Sequence, residues 1–432
     1  MSTPRVAALL LGLVALLGAC EAIKNAIPEQ VSPFRDAGRP AWRVEVPDPS
    51  VANWHGVWVG RHDLAYIVGD HGRIMRWDGV HWSQVSSPTT ETLEAIWGRD
   101  ETELWAVGLY GVILHGVDGV FTEVTQQGPD GGERLTTRSF FSVHGSGDRV
   151  YMVGERGEIA TRDPPDGGVR LMAAETTLQR FPVCETRVNN IEEAVPVCTT
   201  QLVAHDTPDG GLVFGPDRYA GCGTPAECCP FATQGGFCCY PQRCEADGGP
   251  MFGRVGVDAD LKSVWASGDY AVACGAGGSI FEFDATAAQW TRSELADNVP
   301  YTRDALSTAW GTGPGNVYCA GQDGRLMRKR SGAWEPTTIP TPAFVQGMWG
   351  TGGRDIYAVG FSGVVLRYDG YPMTDAGVGW FDEELPSGVV EHLRAVGGAR
   401  LDYDGGLATP EAGPPPSRVI VVGAGGKVLI KN

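Results

Sequence analysis

The sequence predicts an all-β protein, a seven-bladed β-propeller of four-stranded antiparallel blades. Two observations carry this. First, an apolar run stops at a G-x-x-G and a second apolar run follows, seven times: Gly69–Gly72, Gly108–Gly111, Gly154–Gly157, Gly275–Gly278, Gly321–Gly324, Gly360–Gly363 and Gly423–Gly426. Second, each pair is preceded by an apolar-x-x-apolar signal, usually closing in Trp-Gly. It begins at Trp54, Leu93, Phe140, Leu261, Leu306, Val345 and Leu393. Short strands recurring at a period near 40 residues are the mark of radially repeated blades.

Within each repeat the elements follow in order. The run ending in Trp-Gly is the inner strand A. Strand B precedes the glycines (Tyr66-Ile67-Val68, Leu104 to Val107, Val150 to Val153, Ile356 to Val359) and is apolar on both faces, as a sheet between two neighbours must be. The G-x-x-G supplies a tight turn, with glycine tolerating the positive φ other residues resist. Strand C follows at fixed register, and both positions after the turn (Ile74-Met75, Ile113-Leu114, Leu326-Met327 and their equivalents) are apolar core sites. Asp78-Gly79, Asp118-Gly119, Ser331-Gly332 and Asp369-Gly370 then turn the chain into strand D, often opened by an aromatic such as Trp82 or Trp334. The last repeat stops after strand C. Trp42 to Val46, ahead of the first strand A, supplies the missing strand, so the chain closes the ring from its N-terminal side.

The propeller accounts for residues 41–432. Residues 1–19 read as a signal peptide: Arg5, an apolar stretch from Val6 to Leu17, then Leu17-Gly18-Ala19-Cys20. The apolar core is too short to span a bilayer, which takes ~20 residues. The four closing residues have the form of a bacterial lipobox, with Cys20 the lipidated residue. Residues 20–40 read as a flexible tether. The expected location is the bacterial cell envelope, lipid-anchored and at the outer membrane.

Residues 176–260 form an insertion between blades 3 and 4, with an eighth blade as the alternative reading. It holds Cys184, Cys198, Cys222, Cys228, Cys229, Cys238, Cys239 and Cys244. An adjacent Cys-Cys pair suits a zinc site poorly, so these are read as disulfide candidates of an exported protein, and no metal is expected. Cys274 and Cys319 sit one and two residues before their glycines, on opposite faces of equivalent strands. Neighbouring blades would bring them together, as a disulfide or as two buried free thiols.

A formal net charge of −18 argues against nucleic acid as a partner. No G-x-S-x-G elbow, H-E-x-x-H or other close ligand spacing is present. The expectation is a non-enzyme without cofactors. The B–C and D–A connections open onto one face, which carries the variable pairs of the seven turns. The candidate binding residues there are Asp70, His71, Leu109, Tyr110, Glu155, Arg156, Gln322, Asp323, Phe361 and Ser362, and the expected partner is an envelope protein or a glycan. His144 stands where five repeats have Trp and is read as capping a strand.

The pattern G-x-x-G-x-I-x-R-x-D-G-x-x-W resembles the Asp-box (BNR-like) propellers. These include sialidase-type repeats and photosystem II assembly-factor-like proteins, and the pattern is also similar to propeller lipoproteins of myxobacteria. The box is incomplete here: Arg76-Trp77-Asp78-Gly79-Val80-His81-Trp82 lacks the leading Ser and the second Gly. The resemblance implies a propeller. It also implies, as an alternative to a binding scaffold, a sialidase-like glycan hydrolase; a structural coat or spacer protein is a third reading.

Overall fold

In the computed structural model, the described residues are 41–126, 132–163, 168–172, 260–293, 305–330, 332–370, 379–400 and 417–431, with the backbone of four short strands between 185 and 216. Cys20 and the eight cysteines of the insertion lie outside them.

Seven four-stranded antiparallel sheets form a closed ring, each in sequential A-B-C-D order. Blade 1 is Trp54–Arg61, Leu64–Gly69, Ile74–Trp77 and Trp82–Val85. Blades 2 to 6 occupy 93–123, 140–172, 261–292, 306–338 and 345–382. Blade 7 takes Leu393–Arg400, Ser417–Gly423 and Val428–Lys431 from the end of the chain. Its outer strand is Arg43–Glu45, paired antiparallel with Val428–Lys431 (Arg43 opposite Ile430). Every inner strand A packs on the inner strands of both neighbours. Within 176–260, Glu185–Val188 pairs with Ala194–Val197 and Leu202–Asp206 with Leu212–Pro216, as two separate hairpins. No helix among the described residues is long and apolar enough to cross a membrane.

Strand B is the hydrophobic centre of each blade. Leu64 to Val68, Leu104 to Val107, Val150 to Val153 and Ile356 to Val359 are buried throughout, because both faces of the sheet meet another sheet.

The Trp-Gly sequence signal is a contact between blades. The Trp58 ring lies against Gly98 of blade 2, where an added Cβ would come within 2.9 Å of it. Trp97 meets Gly145, Trp265 meets Gly311, Trp310 meets Gly350, and Trp349 meets Gly398 in the same way. The two remaining junctions lack both partners. Blade 4 has Ala266 at the glycine position, and blade 3 answers with His144, whose Nδ1 accepts the Ala266 N–H at 3.1 Å. Blade 1 has Val59 there, and blade 7 answers with Gly397, which leaves room for the Val59 side chain. His144 is therefore an inter-blade acceptor and not a strand cap. Burial between Trp97 and Trp265 lowers its pKa to about 4 and keeps the imidazole neutral.

A second recurring pin joins strand D to the blade before it. The indole N–H of Trp334 donates to Glu282 (2.6 Å), that of Trp82 to Glu45 (2.8 Å) and that of Trp42 to Glu383 (3.1 Å). Lys329 and Lys431 complete the first and last of these as buried or part-buried ion pairs with the same carboxylates. The Trp42 pin belongs to the closing strand, so the seam of the ring carries the same fastening as the blade 4/5 and 7/1 junctions.

Cys274 and Cys319 do meet across the interface of blades 4 and 5. Both are wholly buried and stand as neighbouring free thiols, with no bond between them. Burial, then the neighbouring Cys274 thiol, pushes Cys319 well above the usual thiol range.

Candidate functional site

The seven B–C turns share one geometry, and the reason for their glycines differs from the sequence expectation. The first glycine is extended (Gly108, φ −163°). It is needed because the carbonyl ahead of strand A passes so close that a Cβ would lie 2.1 Å from Thr92 O. The second glycine does take positive φ (Gly111, +79°), and there the carbonyl of Thr136 from the D–A connection lies over it. Both connections therefore share one face. The residue before the second glycine also takes the left-handed conformation: His71, Tyr110, Arg156, Asp323 and Ser362 have φ between 52° and 60°. That conformation is costly for residues with a side chain, and in three of the five a hydrogen bond from the next blade holds it in place. Tyr110 N–H donates to Ser139 Oγ (3.2 Å), Arg156 N–H to Asp260 Oδ1 (3.0 Å) and Ser362 N–H to His392 Nδ1 (3.2 Å).

The candidate residues divide into two groups on this face. His71, Tyr110, Arg156, Gln322, Asp323, Phe361 and Ser362 are exposed at the turn tips. Tyr110 is 58% exposed, a large aromatic surface on a strained residue. Phe361 packs against Phe344 (5.4 Å) and His392 (4.3 Å), forming an aromatic step toward blade 7. Asp70, Leu109 and Glu155 are half-buried and turn back into the fold. Asp70 receives His55 Nε2 (2.9 Å) and Asn53 Nδ2 (2.8 Å). Burial works against its charge, but those hydrogen bonds outweigh it and hold its pKa below the ordinary carboxylate value.

Asp70 leads to residues that the sequence reading missed. The central channel has a volume of about 330 Å³ and is lined by strand A of all seven blades. The second residue of each strand A forms a ring at its mouth, on the side of the B–C turns: His55, Glu94, Phe141, Lys262, Ser307, Gln346 and Arg394. His55 is clasped between Asp70 and Glu94 (Nδ1 to Oε2, 3.0 Å), and Arg394 Nη1 approaches the same Nδ1 at 3.2 Å. Lys262 bonds Asp260 (2.8 Å) and sits 3.8 Å above the Phe141 ring. Arg394 Nε is buried with no partner among the described residues. The signal was in the repeats. This position changes chemistry from blade to blade while its flanks stay apolar or small. Deeper in the channel, Ser142, Ser263 and Thr308 accept N–H groups of the next strand A at 2.9–3.1 Å. Among the described residues no group of three or more His, Cys, Asp or Glu is placed to hold a metal.

No family model matches this chain, and no curated protein matches it. Solved structures do. YCF48 bound to D1 peptide superposes with a TM-score of 0.52 at 12% identity, covering 91% of this chain and 99% of that one. YCF48 from Cyanidioschyzon merolae gives 0.50 at 14% identity over 91% and 99%. The WD40 propeller domain of Doa1 gives 0.50 at 10% identity over 91% and 96%. The likeness is one of fold. This chain is a β-propeller.

Proposed function

We propose that this protein is a lipid-anchored, non-catalytic binding propeller of the bacterial cell envelope, joined to the membrane through Cys20. Its B–C turn face and channel mouth receive a segment of another envelope protein, or a glycan. The observation that carries this reading is the ring of seven dissimilar side chains at the mouth of one channel, bordered by exposed turn residues such as Tyr110 and Phe361. Variable side chains on a rigid repeating frame make a recognition surface. YCF48, a propeller of the same architecture, is known bound to a peptide, which supports a polypeptide partner.

The test compares capture from detergent-solubilised envelope by the native full-length chain and by an Arg394→Glu/Lys262→Glu variant. A partner held by the native protein and lost by the variant supports the reading. Equal capture by both overturns the assignment of the channel mouth. Radiolabelled palmitate incorporated by the native chain and not by Cys20→Ala supports the anchor.

A further inference from the structure

Blades 5 and 6 meet differently from blades 6 and 7, and the difference leaves a cavity. At the 6/7 interface, Tyr357 and Arg367 of blade 6 face Trp42 and Lys431 of blade 7. Two carboxylates neutralise the cations: Asp355 bonds Arg367 Nε (2.8 Å), and Glu383 accepts from the Trp42 indole and from Lys431. At the equivalent places of the 5/6 interface stand Tyr318, Arg328, Trp380 and Tyr368. Both carboxylates are missing. Asn316 replaces Asp355, and its carbonyl accepts from Arg328 Nε (3.1 Å) and Nη2 (2.9 Å). Thr337 replaces Glu383, as the strand pairing shows: Leu326 lies opposite Thr337, and the equivalent Val365 carbonyl accepts the Glu383 N–H.

The result is a cavity of about 160 Å³ lined by Tyr318, Leu326, Arg328, Thr337, Ile356, Tyr368, Gly379 and Trp380. Among the described residues its wall has one permanent cation, Arg328, and no carboxylate. The Tyr318 hydroxyl is buried there beside the Asn316 side chain, with no acceptor for its proton among the described residues. A buried hydroxyl proton without an acceptor carries a desolvation penalty that a carboxylate in the cavity would relieve. Glu335 lies across the strand from Arg328 but is exposed and makes no ion pair with it among the described residues. Thr337 is exposed, which leaves an entry from solvent.

We propose that this cavity between blades 5 and 6 binds a small free carboxylate of about acetate size, in the place that Glu383 fills in the next interface. Arg328 supplies the charge, and the Tyr318 hydroxyl and Trp380 indole supply neutral donors. This goes beyond the face described above and does not depend on it.

The experiment measures thermal unfolding and calorimetric titration of the full-length chain with sodium acetate, at ionic strength held constant with chloride. The native protein should show a saturable rise in unfolding temperature. Arg328→Gln should weaken binding by roughly tenfold or more, the worth of a charge-assisted hydrogen bond. Thr337→Glu, at an exposed position, restores the internal carboxylate. It should abolish acetate binding and unfold at higher temperature than the native protein in acetate-free buffer. No saturable response in the native protein, undiminished binding in Thr337→Glu, or sulfate binding as tightly as acetate would each overturn the assignment.

Discussion

The indole of Trp349 rests on Gly398 of the following blade, where an added Cβ would stand 2.5 Å from the ring. The pairing is read across a junction: a large ring on one blade requires the absence of a side chain on the next. Blades 3 and 4 (His144, Ala266) and blades 7 and 1 (Gly397, Val59) obey the same rule with both members changed.

Gly398→Ala should therefore destabilise the ring by about 1–3 kcal/mol, as overpacking does. Trp349→His in the same chain should recover part of that loss by reproducing the His144–Ala266 arrangement. Chemical denaturation of the two single variants and the double variant measures the coupling, and strict additivity would refute the pairing.

His144 makes stability depend on pH in a defined window. Its folded pKa is about 4, against 6.5 for the free side chain. The unfolded chain takes up a proton that the folded chain refuses between those values. This contribution is therefore intact above pH 6.5 and is lost as pH falls toward 4, with up to about one proton bound on unfolding. A His144→Phe variant should show a shallower decline across that interval. An unchanged slope in denaturation midpoints from pH 7 to 4 would argue against a neutral buried imidazole.

At the seam, Glu383 serves Trp42 and Lys431 together. Glu383→Ala leaves the Lys431 ammonium buried without its carboxylate, which should cost about 3–5 kcal/mol. Lys431→Met added to it should be milder than Glu383→Ala alone, because the stranded charge is gone. Equilibrium unfolding of the three proteins tests this order.

Cys274 and Cys319 should resist alkylation in the folded protein, since both are buried and the Cys319 thiol is held protonated. Peptide mapping after iodoacetamide treatment, with and without denaturant, should find both labelled only on unfolding. Rapid native labelling of either would contradict the burial.

The blades were legible because their signals are local. Strand B is apolar on both faces, and Gly69 or Gly108 marks where it ends. Of what joins one blade to the next, the Cys274–Cys319 approach and the closing strand were legible, but the Trp–Gly contacts were not. Trp58 and Gly98 lie 40 positions apart, and reading Trp-Gly as a unit within one strand hides that each residue serves a different junction. The first glycine of each turn was read for its φ, although a passing carbonyl dictates it. On the candidate face, the turn tips Tyr110 and Phe361 fall where the reading put them. Asp70 instead turns inward to His55, and the channel ring from His55 to Arg394 emerges only when all seven inner strands converge.

The seam also bears on the order of assembly. Arg43–Glu45 finds its partner only in Val428–Lys431, the most distant pairing in the fold. Six blades and most of a seventh can hydrogen-bond internally before that contact exists, but the loop it closes is nearly the whole chain. Closing so long a loop is entropically slow to pay back and comes late. Until then Lys431, Trp42 and the outer edge of the last sheet stand open together. The clasp thus separates a chain that has made its blades from one that has become a ring, and removing Arg43–Glu45 or Val428–Lys431 would return it to the former.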